Sequence, residues 1–90
     1  MGFEARIRYW SPEKGSGLAV VDLPPDVAEA LGGLKQQRVR GTLGGVEFVS
    51  NVMPAGSGRL ALSVSQAMLR SAGLAVGDTA TIEVERITPA

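Results

Sequence analysis

Gly15-Ser-Gly-Leu-Ala-Val-Val-Asp-Leu-Pro-Pro-Asp-Val-Ala-Glu-Ala-Leu-Gly32 and Gly56-Ser-Gly-Arg-Leu-Ala-Leu-Ser-Val-Ser-Gln-Ala-Met-Leu-Arg-Ser-Ala-Gly73 follow one plan. Each opens on Gly-Ser-Gly, runs through an apolar segment, meets a helix-starting residue and closes on glycine. A shift of 41 residues carries Gly15 onto Gly56 and Gly32 onto Gly73. The same shift sets Ala19 on Leu60, Val21 on Leu62, Leu23 on Val64 and Val27 on Met68. Outside the two stretches it sets Ala5 on Val46, Ile7 on Phe48, Val39 on Ala80 and Leu43 on Val84. Alternation alone aligns many apolar positions of any two strands. The shared Gly-Ser-Gly and the shared helix-ending glycine are what alternation does not explain. The expectation is one domain over residues 1–90, built from two halves, 3–43 and 44–86, related by a pseudo-twofold axis. Each half has an apolar sheet face that it cannot bury alone, so the halves interlock and close their edges.

Each half reads as strand, strand, helix, strand. Phe3, Ala5, Ile7 and Tyr9 alternate with Glu4, Arg6, Arg8 and Trp10, which is the period of a half-buried strand. Ser11 to Gly17 is a loop by composition, and Leu18 to Leu23 is a second strand. Pro24-Pro25 stops that strand. Pro25 suits the first turn of a helix, with Asp26 and Glu29 near the positive end of its dipole and Gly32-Gly33 ending it. Gln37 to Leu43 is a third strand, and Gly44-Gly45 a tight hairpin turn into a fourth over Val46 to Val52. Pro54 to Gly58 is a loop. Leu60, Leu62 and Val64 line a fifth strand. Ser65 caps a helix over Gln66 to Ala72 that closes at Gly73. Thr79 to Arg86 is the sixth strand and Thr88-Pro89-Ala90 a tail. The predicted class is all-β with two short helices: a small closed six-stranded barrel, ββαβ repeated, with the helices capping its ends.

Nine basic and nine acidic side chains cancel, and histidine and cysteine are both absent. That excludes disulfides, a cysteine nucleophile, a Ser-His-Asp triad and the common zinc sites. No apolar stretch is long enough to span a bilayer, and the start is not a signal peptide. A soluble cytoplasmic domain is expected. Ninety residues bury roughly 60–65% of their unfolded surface, enough for one modest core. With four aromatics, Phe3, Tyr9, Trp10 and Phe48, that core is mostly aliphatic. Seven arginines against two lysines, with abundant Gly, Ala and Val, point to a GC-rich genome.

The segments Phe3-Glu-Ala-Arg-Ile7, Val21-Asp-Leu-Pro-Pro-Asp-Val-Ala-Glu-Ala-Leu-Gly32, Val39-Arg-Gly-Thr-Leu-Gly-Gly45 and Gly73-Leu-Ala-Val-Gly-Asp-Thr-Ala-Thr-Ile82 resemble the bacterial domain-of-unknown-function family numbered 1905. The resemblance covers almost the entire chain. It implies a double-split β-barrel capped by helices, near the AbrB and MazE transcription-factor folds, and it implies no activity. Residues Leu62 to Glu85 look like an AbrB-type unit, and Gly77-Asp78 resembles the turn called the GD box in related barrels. Its role would be structural: Gly allows the tight turn and Asp accepts backbone hydrogen bonds. The other half has Gln36-Gln37 in that place. The family often carries Lys where this chain has Gln66 and Arg where it has Leu69, so an anion site of that kind is not carried over.

Arg6, Arg8, Arg38 and Arg40 fall at alternate strand positions and, with Trp10, form the candidate surface for a nucleic acid or an anionic ligand. The competing expectation is cross-strand pairing with Glu4, Glu47, Glu83 and Glu85. Asp22 reads as a solvated strand residue, and Asp26 and Glu29 as helix-dipole partners rather than an acid–base pair. The Gly-Ser-Gly loops lack the spacing and the Lys-Ser/Thr of a phosphate cradle. Met53 and Met68 are core filler or barrel-end plugs. No catalytic set remains, so the expected function is a non-enzymatic binding module for a protein or a small anionic ligand. It is expected to be a monomer or weak dimer without cofactor, metal or membrane. AbrB-like DNA binding and a small-ligand carrier or enzyme are the alternatives.

Overall fold

In the computed structural model, which describes residues 2–10, 18–33, 36–56 and 58–87, the Gly44-Gly45 turn sets the first register. Both glycines take positive φ, 57° and 87°, as a two-residue hairpin turn requires. The turn joins β4 (Gln37–Leu43) to β5 (Val46–Pro54), with Leu43 opposite Val46 and Gln37 opposite Val52. The other strands are β1 (Gly2–Arg6), β2 (Arg8–Tyr9), β3 (Ala19–Asp22), β6 (Leu60–Val64) and β7 (Thr79–Arg86). The helices are α1 (Pro25–Ala30) and α2 (Gln66–Ala72). The loop expected at Ser11–Gly17, Ser57 of the second loop and the tail Thr88–Ala90 lie outside the described residues.

One antiparallel sheet holds every strand in the order β1-β7-β4-β5-β6-β3-β2. Its two outermost strands are consecutive in the chain, so the sheet is a nearly closed barrel. Among the described residues this corrects the expected count of six strands to seven. The first run breaks at Ile7: β1 pairs with β7, while β2 crosses to β3. Ile7 N donates to Asp78 O at 2.9 Å, Gly77 N donates to Ile7 O at 2.8 Å, and the side chain is buried. Val52 is the matching pivot on β5. It pairs with Gln37 of β4 on one side and Leu62 of β6 on the other. Before Val52 the strand has only β4 beside it, and after it only β6.

The inward positions are those that alternation assigns. Val39, Leu43, Phe48, Val52, Leu60, Leu62, Val64, Ala80, Ile82 and Val84 join Ile7, Ala19, Val21 and Leu23 in one core. Val27, Ala28 and Leu31 from the α1 segment and Leu69 from α2 complete it. Met68 packs against this core, but Met53 lies opposite Ala61 on the outer face. Val20 and Ala61 are fully buried although they belong to that outer face.

Gly41 is the inward position of β4 that has no side chain. A Cβ there would collide with the Glu83 carbonyl and stand 2.9 Å from Val84 Cα. The missing side chain is therefore what lets β7 run this close to β4.

The helix ends follow local rules. Ser65 Oγ accepts from Met68 N at 3.1 Å, and Met68 Sδ accepts from Ser65 N at 3.4 Å, a capping box with Met in the place usually held by Glu. Gly73 ends α2 in the left-handed conformation, φ 68°. α1 starts on Pro25 and has no side-chain cap.

Corresponding bonds recur 41 residues apart. Gly32 N donates to Glu29 O and Gly33 N to Ala28 O; Gly73 N donates to Arg70 O and Leu74 N to Leu69 O. Val21 pairs with Leu62, and Thr42 with Glu83, each with the residue 41 positions on. The first run departs from that spacing. Ile7 stands where Val52 does, and Trp10, whose N donates to Leu18 O, stands where Ala55 does, whose N donates to Arg59 O. Eight positions separate Trp10 from Leu18, against four between Ala55 and Arg59. In the first run the like bonds therefore fall 45 residues apart, Ile7 against Val52 and Trp10 against Ala55, and not at the expected 41.

Candidate functional site

Strand order decides where the arginines go. Arg6, on β1, is opposite Thr79, and Arg40, on β4, is opposite Glu85. Strand β7 lies between β1 and β4, and Thr79 and Glu85 are six residues apart along it, about 20 Å. Arg8 sits on β2, at the other margin of the sheet. Trp10 lies just beyond β2, partly exposed, with its backbone closing the hairpin to Leu18. The five residues do not form one patch.

Two of the arginines are paired. Arg40 Nε donates to Glu85 Oε1 at 2.7 Å across the β4–β7 ladder, in the manner expected of cross-strand charges. Arg8 grips Asp22 with two parallel bonds, Nε to Oδ2 and Nη2 to Oδ1, each 2.8 Å. Asp22 is thus an ion-pair partner and not a merely solvated residue. Hydrogen bonding to Arg8 lowers the Asp22 pKa, burial opposes that, and the charges of Arg8 and Arg59 add to it. The same hydrogen bond raises the pKa of Arg8. Arg6 and Arg38 have no ion pair among the described residues.

A broad concavity lies elsewhere. It is an open trough of about 680 Å³ on the outer face of β7, β4 and β5, floored by Gly41, Phe48 and Val84. Its polar rim is Glu47, Glu83, Glu85, Arg40 and Thr42. Thr42 stands between Glu47 on β5 and Glu83 on β7, directly opposite both. Arg40 is held by Glu85, so Glu47 and Glu83 leave the trough negative. Val49, 54% exposed, borders it. The sequence named these glutamates only as partners for arginine. The signal that could have found the trough is Gly41, a glycine at an inward position of an alternating strand, which marks close backbone approach.

Asp78 does what its turn requires: Oδ2 accepts from Ala75 N at 2.9 Å, and Asp78 N donates to Ala75 O at 3.0 Å. In the position 41 residues earlier, the Gln37 side-chain amide is buried and has no hydrogen-bond partner among the described residues. Asp26 and Glu29 are exposed on α1. Among the described residues no three carboxylates gather to hold a metal, and no helix is long and apolar enough to cross a membrane.

A family model matches residues 3–84 of this chain, the stretch that runs from β1 through β7. The chain belongs to the family described as domain of unknown function (DUF1905). The curated proteins contain no match to it. Membership of this family carries no activity with it.

Proposed function

We propose that this DUF1905 chain is a non-enzymatic interaction module whose outer face over β7, β4 and β5 takes a protein partner through positive charge. The observation that carries the reading is the trough. It is broad and open rather than enclosed, and among the described residues its charges without an ion pair are Glu47 and Glu83. The barrel interior is filled by aliphatic side chains and leaves little room for a substrate. Nucleic acid would have to meet Arg6 and Arg38, which stand on different strands with β7 between them. Phosphates would be repelled from the trough itself.

In the same proposal the chain is a single duplicated domain in a bacterial cytoplasm, with the double-split form of barrel. The recurrence of turn and helix-end bonds at one spacing supports duplication. The strand changes at Ile7 and Val52 support the two splits.

The test is titration of the isotope-labelled protein, followed by NMR, with oligolysine, oligoglutamate and a random DNA duplex at low salt. Shifts with oligolysine at Thr42, Glu47, Glu83 and Glu85, fading as salt rises, are expected. Shifts with the duplex centred on Arg6 and Arg38, or no response to oligolysine, would overturn the proposal.

A further inference from the structure

We propose that the free edge of β5 receives its partner as an added antiparallel strand. The occupant is an extended segment of another protein with an aliphatic residue followed, two positions later, by lysine or arginine. The proposal rests on the interaction-module reading and names how the partner docks.

Hydrogen-bond parity exposes the edge. In a two-residue hairpin the residues flanking the turn form a hydrogen-bonded pair, so Val46, Phe48 and Ser50 direct their backbone groups to β4. The opposite side of β4 agrees: Gly44 N donates to Thr81 O at 3.0 Å, and Ile87 N donates to Arg38 O at 3.2 Å. Even-numbered residues there face β7, which leaves the odd ones for β5. Glu47 and Val49 therefore point their N–H and C=O groups away from β4. Strand β6 reaches β5 only at Val52–Pro54, so neither residue has a ladder partner among the described residues. The split is crossed below them by one side-chain bond, Ser50 Oγ to Ser63 O, 2.6 Å.

Beside this edge runs a groove of about 240 Å³ between β5 and α2. On the helix side it is lined by Ser65, Ala67, Met68 and Ser71, mostly short side chains that leave room for a backbone. Exposed edges are ordinarily guarded by Lys, Pro or a bulge. The β1 edge carries Glu4 and Arg6, whereas this stretch of β5 offers Val49 with Glu47 as its only charge.

Chemistry selects the occupant. A strand added here makes up to four backbone bonds, to the N–H and C=O groups of Glu47 and Val49, and so gains affinity without sequence demands. Specificity comes from its outward side chains, which alternate. Antiparallel pairing sets an aliphatic residue against Val49 and, two positions later, a cation against Glu47, within the field of Glu83. The intervening residue faces the α2 groove. A second copy that adds its own β5 edge brings no cation to Glu47, because that edge carries only Glu47 and Val49.

The probe is an acetylated, amidated peptide made of two Val-Thr-Lys-Thr repeats, compared with its Val-Thr-Glu-Thr counterpart and with a form N-methylated along one edge. Affinity is read by fluorescence anisotropy and amide protection by NMR hydrogen exchange. The expected result is fast exchange at Glu47 and Val49 in the free protein and protection of both with the lysine peptide. Glu47→Lys should weaken binding about tenfold, by exchanging an attraction for a repulsion. Val49→Pro removes one edge N–H without touching the β4 ladder and should abolish protection while the circular dichroism spectrum persists. Lysine-peptide binding that Glu47→Lys weakens, with both amides still exchanging fast and the N-methylated form binding equally well, would overturn strand addition and leave the acidic-face reading standing. No binding of any basic peptide would overturn both. Protection that appears with rising protein concentration alone, with a dimer in sedimentation, would assign the edge to a second copy and overturn the partner proposed here.

Discussion

Replacing Gly41 with Ala should cost this protein a large part of its stability, against the direction of strand propensity. In a strand interior Ala is ordinarily better than Gly by roughly 0.5–1 kcal/mol, because it has less backbone freedom to lose. At Gly41 the added methyl meets backbone: the Glu83 carbonyl, well inside contact distance, and Val84 Cα at 2.9 Å. No rotamer change relieves that, so β7 must move off β4. Overpacking of this kind costs about 1–3 kcal/mol. Separating the strands around the Gly41–Val84 pair gives up about two ladder bonds, at about 1 kcal/mol each. After the propensity gain the net loss is about 2–4 kcal/mol, against about 5–13 kcal/mol for a domain of this size. The melting temperature should fall by about 10–30 °C. Urea titration and thermal melts followed by circular dichroism measure it. Gly2→Ala is the control, since its Cβ would find Glu83 Cγ at 3.6 Å and Ile82 O at 3.8 Å, ordinary contacts. If Gly41→Ala melts within about 3 °C of the parent while Gly2→Ala does the same, close approach is not what the glycine serves.

Asp22→Asn should cost about 0.5–1 kcal/mol at neutral pH, discounted because both partners of the Arg8 pair are about one-third exposed. The Asp22 pKa is lowered in the folded state, so its contribution is whole above the ordinary value of 3.8 and disappears as pH falls through the lowered one. Urea midpoints between pH 2 and 7 should therefore show the variant and the parent converging in acid; a constant gap would remove the ion pair as the cause. Ser65→Ala removes the acceptor for Met68 N and should cost about 1 kcal/mol in thermal denaturation. Asp78→Ala should cost about 1 kcal/mol, and Asp78→Asn much less, because the amide oxygen still accepts from Ala75 N. Equal losses in chemical denaturation would show that charge, not the hydrogen bond, matters there.

Local rules made much of this barrel readable. The bounds of β4, α2 and β7 follow from alternation, Ser65 and Gly73, which act within a turn or two of the residues they govern. The break at Ile7 was not readable, because Phe3, Ala5, Ile7 and Tyr9 go on alternating through it. A change of neighbour depends on where β7 and β3 run out, not on the strand itself. The four-residue discrepancy in the first run was invisible for a related reason. A period of two is unchanged by any even shift, so Phe48 fits Ile7 as well as Phe3. Arg8 found Asp22 and not a glutamate because β2 pairs with β3, a choice made by topology. The distance between Arg6 and Arg40 has the same ground. Alternation places Arg6 and Arg40 on the outer face, but it does not say that β7 stands between their strands.

Ile7 has one more consequence. Gly2 pairs with Glu83, 81 positions further along the sequence, so both helices and five other strands lie between the two ends of that rung. During synthesis β1 leaves the ribosome long before β7 exists, and it must wait, unpartnered, for its mate. Closing so long a loop is slow, and until it happens the nascent chain shows two bare margins to its surroundings. The ring is completed by pairing β1 with β7, so this barrel is finished only after translation has passed Arg86.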